Sequence, residues 1–309
     1  MKKRIFTLFF MAVFVAVSLL TQITPAVSAD EEVSFSGNGT QKSPYLIQNA
    51  DDLRHFRDLV NEGNSFEGKY FRQTENIDLN SEEWVPIGIF DGDTFFYGIY
   101  DGDGHYIENL YIGASGNNGL FGKLGGIVMN LGIESGEVHG ACIGAFTSHA
   151  AGSKSVIINC YNKADVYGSR GGGIADNYNG TILNCWTDCE LYAEKNGDIY
   201  SYDCIRAENC YTNNGDINEV NADTLNKGLI DSAVKAELEI GDLNTWTLEG
   251  EQVVFSGEKY SFVFSDLPQL ISAYLTWIML ALLALFAFVL ILHEVLRKQN
   301  NAVKTENAE

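Results

Sequence analysis

The chain has 309 residues, with 41 acidic and 20 basic side chains and a formal net charge of −21. So negative a surface repels nucleic acid and other polyanions; this excludes nucleic-acid binding and fits a soluble or cation-attracting exterior. Glycine (31) and tyrosine (15) are plentiful and proline (4) is scarce, which suits short strands joined by glycine turns and excludes a disordered stalk.

The N-terminus predicts a cleavable export signal over 1–29. Met1-Lys2-Lys3-Arg4 is a basic start, 5–20 carries no charge, and Val27-Ser28-Ala29 is a small-residue cleavage site. Segment 30–95 is expected to be an N-terminal cap with the first strands. Asn49 is a good N-cap, Asp51 and Asp52 fall in the first turn, and Leu53, Phe56, Leu59 and Val60 form an apolar stripe. Together they predict a helix over 50–61. Tyr70-Phe71 and Ile77-Asp78-Leu79 read as first strands. Asp91-Gly92-Asp93 and Asp101-Gly102-Asp103-Gly104 cluster oxygen ligands but lack the twelve-residue calcium loop with its closing Glu. They read as tight turns, and no metal or cofactor is expected.

Segment 96–215 is repetitive. Ile158-Asn159-Cys160-Tyr161, Leu183-Asn184-Cys185-Trp186 and Glu208-Asn209-Cys210-Tyr211 align at a period of 25, and Met129-Asn130-Leu131 precedes the first by 29. The four extra residues fit a loop at Ala150-Ala151-Gly152-Ser153-Lys154. Gly119-Leu120-Phe121, Gly144-Ala145-Phe146, Gly173-Ile174-Ala175 and Asp198-Ile199-Tyr200 form a second row, and Asn109-Leu110-Tyr111 reads as a further copy nearer the N-terminus. A glycine-rich repeat too short for paired helices predicts one coil of a β-solenoid. The fold class is therefore all-β, a parallel β-helix with helical caps. Cys185, Thr187, Cys189 and Leu191 alternate with Trp186, Asp188, Glu190 and Tyr192, so period two puts the first set inside and the second in solvent. Asn159, Asn184 and Asn209 are expected to form an internal ladder bonded along the stack. Cys160, Cys185 and Cys210 stack inside. A disulfide between coils is conceivable, though stacked side chains point the same way and favour free thiols. All six cysteines lie between Cys142 and Cys210 with no C-x-x-C pair, so a zinc site has no support.

Segment 216–256 is expected to cap the far end. Leu225, Leu229, Val234 and Leu238 have helical spacing over 222–240, and 245–255 reads as closing strands. A linker, 257–268, leads to 269–292, a predicted transmembrane helix. Its strongly apolar part, 270–292, is about 34 Å long as a helix, enough to cross a bilayer core of about 30 Å. Tyr274 and Trp277 mark the outer interface, while Arg297 and Lys298 place the tail, 293–309, in the cytoplasm. His293-Glu294 lacks the second histidine of a zinc-protease helix.

Outward positions also align: Tyr161 with Trp186 and Tyr211, Tyr167 with Tyr192, Lys163 over Asp188, and Asp165 over Glu190. This predicts one flat face of two aromatic rows flanking acids. Such a face suits a glycan or a protein partner at the cell surface, although aromatic ladders also stabilise sheets without binding anything. Asp165, Asp188 and Glu190 could pair as acid and base in a polysaccharide-cleaving β-helix. No Ser-His-Asp pattern, zinc spacing or phosphate loop accompanies them, so the reading is binding rather than catalysis, with a purely structural envelope role as a further alternative.

Gly119-Leu120-Phe121-Gly122, followed by Ile127 and Asn130-Leu131, resembles the GLUG motif of bacterial cell-surface proteins. Gly37-Asn38-Gly39-Thr40, Pro44-Tyr45-Leu46-Ile47, Asp52-Leu53, Asn76-Ile77-Asp78-Leu79, Trp84-Val85-Pro86-Ile87-Gly88 and Tyr100-Asp101-Gly102-Asp103-Gly104-His105 extend the likeness over 35–214. The resemblance implies a right-handed parallel β-helix on an exported bacterial protein, often with an adhesive or wall-associated role. The chain departs from it where Gly119 is replaced by Asp198 in the last coil. Gly104-His105-Tyr106 also differs from the Gly-His-Gly of pectin-cleaving β-helices.

Overall fold

The structure, a computed structural model, describes residues 35–89, 94–113, 116–152, 154–177, 179–202, 206–213, 220–235 and 242–260. The predicted signal, membrane span and tail, and Asp91-Gly92-Asp93, lie outside them. The chain divides into Met1–Ser36 and Gly37–Glu309, and the solenoid belongs to the second unit. Among the described residues no helix is long and apolar enough to cross a membrane.

The second unit is a parallel β-solenoid of about six turns. Its first sheet stacks Tyr45–Ile47, Tyr70–Gln73, Ile99–Asp101, Ile127–Met129, Val156–Ile158, Thr181–Leu183 and Arg206–Glu208 in chain order. The second sheet stacks Ile77–Asp78, Tyr106–Glu108, Gly132–Ile133, Tyr161–Asn162, Trp186–Thr187 and Tyr211–Thr212. The third runs through Leu110–Ile112, Gly136–Gly144, Asp165–Gly172 and Leu191–Gly197, and a short fourth through Thr147–His149, Ala175–Asn177 and Tyr200–Tyr202. Each coil visits the sheets in that order, so like positions fall in rows one strand spacing apart, about 4.8 Å.

The alternation read from the sequence builds the core. Phe71, Tyr100, Val128, Ile157 and Ile182 form one inward row, and Ile112, Val138 and Val166 another, all fully buried. Cys160 and Cys185 are also fully buried, and the thiols of Cys142, Cys160, Cys185 and Cys210 are free. The Cys160 and Cys185 thiols donate to the carbonyls of Ile158 and Leu183 at 3.3 and 3.2 Å.

The N-terminal helix, Ala50–Asn61, has the predicted bounds. Asn49 Oδ1 accepts from the Asp52 amide at 3.0 Å, and Leu53, Phe56, Leu59 and Val60 are buried. The Phe56 ring sits 4.4 Å from Phe71, 5.1 Å from Phe96 and 5.8 Å from Tyr100, which closes the first coils. Burying each such side chain contributes about 1.5–3 kcal/mol.

Register corrects several expectations. Val156 pairs with Ile127 and Thr181, so the spacing of 29 and then 25 holds in the first sheet. The four extra residues are divided, however. Leu124 pairs with Ala150, so three fall between Ala150 and Val156; the fourth lies at Glu134-Ser135, since Ile133 pairs with Asn162 but Glu137 with Asp165. Phe121 pairs with Thr147, and Thr147 with Ala175, so the Gly144-Ala145-Phe146 alignment is out by one residue. Asn109 is not a member of the asparagine row. It lies between the second and third sheets, where its Nδ2 donates to Asp78 Oδ1 at 2.8 Å.

The C-terminal pieces are a helix, Ala222–Lys235, and an antiparallel hairpin of Leu243–Glu249 and Gln252–Tyr260. The hairpin extends four residues into the expected linker, because Leu243 pairs with Tyr260. The pieces also do not cover the far end of the solenoid. They lie along its side, over the corner between the first and second sheets. Leu229 and Leu243 pack on Met129, Ile158 and Leu183, while Trp246 and Leu225 pack on Tyr161 and Trp186. The outward residues at that corner are apolar on both flanks, which gives the cover an apolar seat.

Candidate functional site

The corner under this cover is built on the asparagines. Asn130, Asn159, Asn184 and Asn209 all have φ between +52° and +56°, a left-handed turn that Asn tolerates better than most residues. Their amides bond along the stack as expected: Asn159 Nδ2 donates to Asn130 Oδ1, and Asn184 Nδ2 to Asn159 Oδ1, each at 2.8 Å. They also bond outward to the hairpin. Asn130 Oδ1 accepts from the Asn244 amide at 2.9 Å, Asn159 Nδ2 donates to the Asn244 carbonyl at 2.9 Å, and Trp246 Nε1 donates to Asn159 Oδ1 at 2.8 Å. The ladder therefore faces the cover rather than the solenoid interior.

The row of Tyr161, Trp186 and Tyr211 forms in the predicted register, with the first two rings parallel and 4.9 Å apart. It is not the solvent-facing contact that the sequence predicts. Tyr161 is 3% exposed and Trp186 2%, because Trp246 and Phe255 of the hairpin lie over them. Tyr161 lies across Gly132, where any Cβ would overlap its ring, and its hydroxyl donates to Glu134 Oε2 at 2.7 Å. Burial, then the Glu134 charge, raises that phenol far above the ordinary range. Lys163 Nζ reaches Glu134 Oε1 at 2.7 Å rather than Asp188, and Asp188 is exposed at the edge of the cover.

The other four candidates come together on the third sheet, apart from the first row, so the single flat face becomes two. Tyr167 and Tyr192 are stacked at 4.9 Å and 5°. His139, which the sequence reading missed, extends the stack at 4.7 Å and 10° from Tyr167, and Tyr111 meets His139 edge-on at 6.2 Å. Two residues before each ring stands an acid: Glu137, Asp165 and Glu190. His139 Nε2 lies 3.1 Å from Glu137 Oε2, Tyr167 Oη donates to Asp165 Oδ2 at 3.4 Å, and the Glu190 amide donates to Asp165 Oδ1 at 2.9 Å. Glu190 raises the Tyr192 phenol, and desolvation, then Asp165, raises that of Tyr167. Tyr192 is 55% exposed. His139 escaped notice because a uniform step of 29 lands on Val138; only the extra residue at Glu134-Ser135 brings His139 over Tyr167.

The Asp101 turn holds no candidate metal centre. Asp101 Oδ1 accepts from Asn130 Nδ2 at 2.9 Å and from the Asp103 amide at 3.0 Å, Arg72 Nε lies 3.5 Å from Asp101 Oδ2, and Lys259 pairs with Asp103. Among the described residues no group of three or more His, Cys, Asp or Glu could hold a metal ion.

No family model matches the chain. A protein of Evansella cellulosilytica, provisionally named a Gly-rich membrane protein, is 33% identical over 166 residues, 48% of this chain and 18% of that one. Halomucin of Haloquadratum walsbyi is 34% identical over 120 residues, 34% of this chain and 1% of that protein. The chain thus spans less than a fifth of the length of either relative. A crystal structure from Bacteroides ovatus, provisionally assigned as an immunoglobulin A1 protease, is 18% identical, covers 72% of this chain and 95% of its own, and has a TM-score of 0.39. That likeness is too distant to carry a functional argument.

Proposed function

We propose that the chain is a bacterial surface module, tethered to the membrane, that binds glycan or a surface protein through the acid-and-ring ladder of the third sheet. The observation that carries the reading is the surface stack of half-buried His139 and Tyr167 with exposed Tyr192, each ring beside the carboxylate of Glu137, Asp165 or Glu190. The rings face one another along the stack, so they offer a ligand mainly their edges and polar tips. The carboxylates accept hydroxyl or ammonium donors, and Tyr192 adds an exposed aromatic body. No catalytic role is assigned to the acids: Asp165 already accepts from the Glu190 amide and the Tyr167 hydroxyl.

The tether rests on the sequence of the two ends: removal of 1–29, a single crossing by 269–292 and a cytoplasmic 293–309. The name of the Evansella relative agrees with a membrane-associated role. The likeness to GLUG-motif proteins supports the cell-surface setting and right-handed winding. The test is a glycan array and a cell-wall pulldown with the full chain in detergent. Retention is expected for the native chain and a loss of about tenfold or more for Tyr192→Ala combined with Glu190→Gln. Undiminished retention by that variant overturns the assignment.

A further inference from the structure

A second recess lies away from the ladder, where the hairpin tip leans over the second sheet. It is a cleft of about 570 Å³, within the range of small-molecule sites. Trp186 forms part of its floor, and Leu248 and Val253 of the hairpin give it an apolar wall. Asn213 and Gln252 bring amides, which both donate and accept. Lys163 and Glu134 also line it, but they neutralise each other at 2.7 Å. The carboxylates of Asp188 and Glu251 remain, and among the described residues no cation pairs with either.

We propose that this cleft binds a sugar unit carrying a free amine, a hexosamine. Its ammonium would bond to Asp188 and Glu251, its hydroxyls to Asn213 and Gln252, and its C–H face would rest on Leu248 and Val253. The same carboxylates repel uronic and sialic acids. The site shares no residue with the third-sheet ladder and does not depend on it.

The probe is the glucosamine tetramer, titrated into the full chain in detergent at about pH 6, where such an amine stays charged. Binding is followed by calorimetry and tryptophan fluorescence. Saturable binding with a fluorescence change is expected, with affinity about tenfold weaker for the N-acetylated tetramer and for Asp188→Asn, as loss of one charge-assisted bond implies. Asp188 is exposed, so the isosteric change leaves the fold intact. The tryptophan fluorescence change reports the cleft, which Trp186 lines, and not the ladder, which holds no tryptophan; this separates the two sites. No binding of the glucosamine tetramer, equal binding of its N-acetylated form, or undiminished binding by Asp188→Asn overturns the proposal.

Discussion

At the residue scale, the repeat is governed by the corner asparagines. A left-handed backbone costs most residues about 1–2 kcal/mol, and Asn lowers that cost by bonding locally. Asn159 carries four bonds at once: it donates to Asn130 and the Asn244 carbonyl and accepts from Asn184 and Trp246. Asn159→Ala removes all four and leaves buried groups unpaired at about 1–3 kcal/mol each, before the backbone strain. The expected loss is about 3–5 kcal/mol of unfolding free energy by urea denaturation. Asn159→Gly should be milder, because it tolerates the turn. Equal stability of the alanine variant and the native chain would refute the role given to the ladder. The ladder itself was legible from the period of 25. Its bonds to the hairpin were not, because Asn244 and Trp246 lie 85 and 87 residues farther along the chain, with no repeat to align them.

At the scale of elements, both helices and the closing strands were legible from apolar spacing and capping. Where the C-terminal pair docks was not. Periodicity says which side of a helix is apolar but not which surface it will meet. The outward aromatics at Tyr161 and Trp186 looked solvent-facing for the same reason: alternation separates inside from outside and cannot see a later segment folding over the outside. Gly228 records the closeness of the contact. A Cβ there would overlap Asn184 Oδ1, on a side-chain amide whose Nδ2 is held by the ladder. On helix propensity alone Gly228→Ala gains about 1 kcal/mol. Against a rigid buried neighbour, overpacking costs about 1–3 kcal/mol, so the net effect should be destabilising. Hydrogen exchange over Leu243–Glu249 should quicken and tryptophan emission shift to the red. Slower exchange there would show that the helix does not rest on the ladder.

At the scale of the molecule, the two aromatic rows have different fates although the sequence writes them alike. The row on the second sheet has the apolar Met129, Ile158 and Leu183 across the asparagine corner and serves with them as the seat of the cover. The row on the third sheet is flanked by acids, which resist burial without partners, and it remains in solvent. A strongly acidic chain with one such exposed stripe offers a surface that selects against polyanions and toward neutral or amine-bearing ligands. The most direct test of this division is hydroxyl-radical footprinting of the full native chain, read residue by residue by mass spectrometry. Tyr192 should be oxidised rapidly, while Tyr161 and Trp186 stay protected until the protein unfolds. Oxidation of Trp186 and Tyr161 in the native chain as fast as Tyr192 would contradict the account.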